Sequence, residues 1–124
     1  MRTVLGFFCF VVICSSCSRT APTPDGLFER KEKCATYFDQ FKKDLLADDR
    51  SPFTSSYLTE IFYSPSLETC IAAFHTDYEN IPGGADIAYM LQDVLSREIL
   101  FDLKTKADSS AEQKWKEKRE QLKK

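Results

Sequence analysis

The sequence predicts an α+β fold: an N-terminal helix laid on an antiparallel sheet, bridged to it by a disulfide and followed by a charged C-terminal helix. Three observations carry this. Leu27, Cys34, Tyr37, Phe38, Phe41 and Leu45 recur at three- and four-residue steps, which sets them on one stripe of a helix. After the breaker Asp48-Asp49-Arg50-Ser51-Pro52 the apolar period falls to two, as in strands. Cys34 then lies on the helical stripe and Cys70 in the second period-two run, so one bond between them joins the two layers.

The chain begins with Arg2, an apolar run over residues 4–13, and Cys14-Ser15-Ser16-Cys17. A membrane-spanning helix needs about 20 apolar residues, so this run fits the core of a secretion signal instead. Its close resembles the lipobox of bacterial lipoproteins, with small Ser15 and Ser16 before a cysteine and Cys14 standing where that motif usually has Leu. The resemblance implies a signal peptide over residues 1–16 and lipid on Cys17, with residues 17–26 as anchor and tether. Ser18 follows Cys17 where Asp would signal inner-membrane retention, which resembles an outer-membrane lipoprotein if the source has two membranes. Cleavage after Ser18 by an ordinary signal peptidase is the alternative, and it delivers the protein to the same side of the membrane.

An oxidising compartment lets thiols pair, and small exported domains lean on such bridges. Processing leaves Cys34 and Cys70 as the remaining pair; their bridge is worth roughly 4 kcal/mol on the chain-entropy argument. Neither cysteine stands in Cys-x-x-Cys, and no basic surroundings mark either as a reactive thiol.

The elements follow in order. Residues 18–26 are polar and proline-bearing, a spacer composition. The helical stripe covers residues 27–45, with Glu29, Lys33, Asp39, Gln40 and Lys43 facing away. Residues 57–64 and 69–78 are aromatic and β-branched, and Pro65-Ser66-Leu67-Glu68 between them is short enough for an antiparallel hairpin. Cys70, Ala72 and Phe74 share one strand face, and that face meets the helix. Asn80-Ile81-Pro82-Gly83-Gly84 marks a turn. Beyond it the pattern is open: Ile87, Met90, Leu91, Val94 and Leu95 suit a helix face, whereas Tyr89, Leu91 and Asp93 with Ile99, Phe101 and Leu103 suit a second hairpin.

Cys34-Ala-Thr-Tyr-Phe, Tyr63-Ser-Pro-Ser-Leu-Glu-Thr-Cys70 and Asp93-Val-Leu-Ser-Arg-Glu-Ile99 resemble a family of small, uncharacterised bacterial lipoproteins and exported proteins over residues 33–103. The chain departs from that family at Ser64, where Asn is usual. The resemblance implies a helix cysteine paired with a strand cysteine and two later strands, here 87–93 and 98–103, giving a sheet of about four strands. It brings no activity and no catalytic residues. The globular domain is thus 27–108, and Ser109-Ser-Ala-Glu112 opens a charged helix over the segment 109–124 in the pattern of a capping box. Its apolar residues, Ala111, Trp115 and Leu122, are few, so this helix is expected barely to dock.

Chemistry is sparse. With 17 Lys+Arg against 19 Asp+Glu and a net charge of −2, the chain lacks the basic balance that nucleic-acid binding requires. His75 is the one histidine, which removes paired-His metal sets and leaves a general base without a partner. Asp77, Glu79 and Asp86 frame a loop, but Ile81 and Pro82 stand where a calcium-binding loop needs a ligand and a glycine. Lys114, Lys116, Lys118, Arg119, Lys123 and Lys124 make the tail locally basic around Trp115. Serine-hydrolase, phosphate-loop and dinucleotide motifs do not occur. The expectation is a non-enzymatic, cofactor-free protein of the bacterial cell envelope, held to the membrane through Cys17 and having a binding or structural role. A freely secreted effector or inhibitor, or a small envelope hydrolase, are the rival readings.

Overall fold

The computed structural model describes residues 23–48, 52–79, 86–106 and 109–124. Cys17, residues 1–16 read as a signal and the first part of the stretch read as tether lie outside the described residues, as do Asp49 and residues 80–85 read as a turn. The architecture is α+β in three layers: a bent helix, a four-stranded antiparallel sheet and a C-terminal helix.

The first helix, α1, spans Pro24–Thr36 and starts three residues inside the stretch read as spacer. Thr23 caps it, its hydroxyl accepting the Gly26 N–H at 3.3 Å, while Pro24 supplies a pre-set φ and Asp25 sits favourably in the first turn. The stripe expected as one helix is broken at Tyr37 and resumes as α2, Phe38–Asp48. The Tyr37 N–H donates to the Cys34 carbonyl at 3.1 Å and the Thr36 hydroxyl to the Lys33 carbonyl at 2.7 Å, which tightens this turn and bends the axis. The bend lets both segments lie on the same sheet face, with Cys34 and Phe41 buried.

Strands β1 (Thr54–Ser64), β2 (Thr69–Tyr78), β3 (Ile87–Asp93) and β4 (Ile99–Thr105) form a meander in the order β1-β2-β3-β4. The ambiguity over residues 87–103 resolves as a hairpin. β1 starts three residues earlier than its periodicity suggests, because the ladder with β2 runs on from Tyr57↔His75 to Thr54↔Tyr78. A bulge between Leu58 and Glu60 offsets Thr59 and keeps inward residues inward on either side.

Alternation along the strands builds two cores. Cys70, Ala72 and Phe74 join Tyr63, Val94, Cys34 and Phe41 beneath α1 and α2. Ile71, Ala73, Tyr89 and Leu91 face the other way and are covered by Ala111 and Trp115 of α3, Ser109–Leu122. Ala72, Ala73 and Ala88 have no exposed surface; their small side chains leave room for large neighbours on each face.

The expectation that the C-terminal helix barely docks is corrected. Trp115 and Ala111 are 4 % exposed, and Leu122 leans on the same cluster. One tryptophan supplies the area of two aliphatic residues, and the apolar stems of Arg119 and Lys123 extend the contact, their cations resting over the rings of Trp115 and Phe62. Ser109 is the first helical residue rather than the cap before it, and Glu112 reaches forward to Lys116 at 2.6 Å. Glu120 takes Lys123 at 3.1 Å.

Candidate functional site

The seam where the disulfide ties α1 to β2 gathers the residues the sequence marks most strongly. Cys34 and Cys70 are bonded, both buried, with Cα atoms 5.4 Å apart. Beside the bridge opens a cleft of about 290 Å³ lined by Arg30, Lys33, Tyr37, Tyr63, Glu68 and Leu95 among others. The Arg30 guanidinium donates to the Tyr63 hydroxyl and lies 5.5 Å from the centre of its ring. That phenol contact raises the Arg30 pKa above its ordinary value, and the guanidinium, which stays charged in any case, sets a cation at the rim of the cleft. The Cys70 sulfur within it is committed to the bridge and is no nucleophile. Such a cleft suits recognition of a polar or anionic group.

His75 stands half-buried in β2, stacked on Tyr57 with ring centroids 5.1 Å apart and 6.1 Å from Tyr89. Tyr89 in turn meets Trp115 at 5.4 Å, so an aromatic row crosses from β1 through the sheet to α3. Burial raises the Tyr89 pKa above its ordinary value, and the negative charges of Glu112 and Asp77 push the same way. This row is a packing device between strand and helix.

Asp77 sits in β2 opposite Ile87, Glu79 follows the strand, and Asp86 precedes β3. Their backbones are engaged: the Tyr78 N–H donates to Asp86 O at 2.9 Å and the Glu79 N–H to Phe53 O at 2.8 Å. Among the described residues, no three His, Cys, Asp or Glu side chains gather as a metal site. No helix among them is long and apolar enough to cross a membrane. Of the basic tail, Arg119 and Lys123 converge on Glu60 of β1, each 3.0 Å from its Oε1, while Lys116 is held by Glu112.

The turn that the resemblance implies at Asp93–Ile99 is present, and two features of it go beyond the sequence reading. In the β3–β4 turn, Asp93 Oδ1 accepts the N–H groups of Leu95 and Ser96 at 2.8 and 2.9 Å. Burial alone would raise the Asp93 pKa, but these backbone bonds, with the Ser96 hydroxyl, hold it below the usual range. Arg97, at φ 63°, then reaches back to Asp44 of α2 at 2.6 Å and covers the Phe41 ring at 5.1 Å. The signal for the turn was present in Asp93-Val-Leu-Ser96, an Asx-turn pattern. Nothing local tied Arg97 to a helix more than fifty residues upstream.

No protein-family model, no curated protein and no solved structure matches this chain.

Proposed function

We propose that this chain is a lipid-anchored domain of the bacterial cell envelope, attached through Cys17 and having a non-enzymatic binding or structural role. The observation that supports this reading best is the Cys34–Cys70 bridge, which ties α1 to β2 at the centre of one core. Such bonds persist in oxidising compartments outside the cytosol, in keeping with the signal-like residues 1–16 and the lipobox resemblance at Cys17. The segments around Cys34, Cys70 and Asp93 that resemble small exported lipoproteins point the same way.

Because Thr23 already caps α1, the chain between Cys17 and the folded domain spans at most about 20 Å. The domain would then stand close to the headgroups, on the periplasmic side of the outer membrane where two membranes exist. Mass spectrometry of the mature N-terminus tests the reading. An acylated Cys17 supports it; an unmodified chain starting at Arg19 replaces it with free secretion.

A further inference from the structure

The outer edge of β1 carries an arrangement that the bridged seam does not use. β1 is the first strand in the sheet, so no described strand pairs with its outer side. A cleft of about 300 Å³ lies there, lined by Ile61, Phe62, Tyr63, Lys31 and Lys123. Successive strand residues point to opposite faces, so a single cleft touches three in a row only by running along the strand's edge. The two lysines agree, since Lys31 belongs to α1 over one face and Lys123 follows α3 over the other. Beyond the bulge, β1 pairs regularly from Glu60↔Ala73 to Ser64↔Thr69; Tyr63 and Ser64 are buried, so the part of this edge that stays open in strand geometry is residues 60–62, each partly exposed.

The charge around this edge selects the occupant. No carboxylate lines the cleft. Lys31 is exposed and makes no ion pair among the described residues. Lys123 touches Glu60 and Glu120 but shares both with Arg119, and its ammonium lies 5.3 Å over the Phe62 ring. A second copy offering the same edge would bring its own Lys31 and Lys123 against these, which like-charge repulsion opposes.

We propose that the edge of β1 over residues 60–62 receives an extended acidic segment of a partner protein. That segment adds a strand beside β1 and sets its carboxylates between Lys31 and Lys123. Backbone hydrogen bonds supply the pairing and the lysines select the charge. The inference gives a place to the binding role proposed above and rests on that role, but not on the lipid anchor.

The test uses the full chain in detergent and three synthetic ten-residue peptides. One alternates Glu with Val, one replaces each Glu by Lys, and one repeats the Glu peptide with alternate amides N-methylated. The Glu peptide should shift the amide resonances of residues 60–62 and bind more weakly as salt rises. N-methylation should abolish binding, and the double variant Lys31→Glu/Lys123→Glu should weaken it about tenfold or more while gaining the Lys peptide. Equal binding of the Lys peptide, indifference to N-methylation, shifts confined to other residues, or no binding of the Glu peptide would each overturn the proposal. Shifts at residues 60–62 that grow with protein concentration alone would assign the edge to a second copy. The N-methylated arm leaves the protein unaltered, so a misfolded variant cannot mask the result. The mass of the N-terminus reports the anchor independently of all these arms.

Discussion

The indole Nε1 of Trp115 donates to the Met90 carbonyl at 3.1 Å, fixing the C-terminal helix to the middle of β3 through a side chain that is 4 % exposed. This single residue turns a helix of mostly charged composition into the second layer of the core. Its ring contacts Tyr89 on one side and the Arg119 guanidinium on the other.

Trp115→Ala is therefore expected to cost about 3–5 kcal/mol, the range for removing a buried large aromatic. Trp115→Phe keeps most of the area but strands the Met90 carbonyl bond, at about 1 kcal/mol. Urea unfolding followed by circular dichroism checks both. An alanine variant as stable as the parent would show that α3 contributes nothing to the core.

The bridge closes a loop with a sequence separation of 36 residues. Replacing Cys70 by Ala should lower stability by about 2–5 kcal/mol, and the double variant Cys34→Ala/Cys70→Ala should cost about as much, since either change opens the same loop. Thiol alkylation of unreduced, unfolded protein should label neither Cys34 nor Cys70. Labelling of both would exclude the bond.

The elements with strong local periodicity were legible in the sequence: the Cys34–Phe41 stripe, the Tyr57–Ser64 and Thr69–Tyr78 hairpin, and the facing of Cys70, Ala72 and Phe74 toward the helix. The break at Tyr37 was not, because it depends on Thr36 and Tyr37 turning to carbonyls three residues back while the stripe itself continues. Docking of α3 was hidden for a different reason. Counting apolar residues undervalues one tryptophan and ignores the stems of Arg119 and Lys123, and their partner Glu60 sits on a strand far away in sequence. The basic edge of β1 was equally invisible, since Lys31 and Lys123 meet only after the sheet has brought opposite ends of the chain together.

Asp93 gives stability a pH dependence with a definite sign. Its folded-state pKa lies below the ordinary aspartate value of 3.8, so its contribution is complete above that value and is lost as pH falls through the lower folded one. Asp93→Ala should cost about 1 kcal/mol at neutral pH, through the unmade bonds to Leu95 and Ser96. The gap between variant and parent should close as pH drops below the aspartate range. A gap that stays constant down to pH 2 would show that the turn does not need the charged carboxylate.

Among the described residues, two other than glycine have positive φ, and they should respond differently to replacement. Glu68, at φ 53°, closes the β1–β2 turn with its side chain exposed. Glu68→Gly removes the left-handed strain at the cost of some unfolded-state entropy and should stabilise the fold by about 0.5–1 kcal/mol. Arg97, at φ 63°, is relieved by glycine in the same way, but Arg97→Gly also forfeits the Asp44 contact and the cover over Phe41. It should gain less than Glu68→Gly or lose stability outright. Paired melting curves decide the matter: if Arg97→Gly stabilises as much as Glu68→Gly, the reach of Arg97 to α2 contributes nothing to holding the β3–β4 turn against the helix layer.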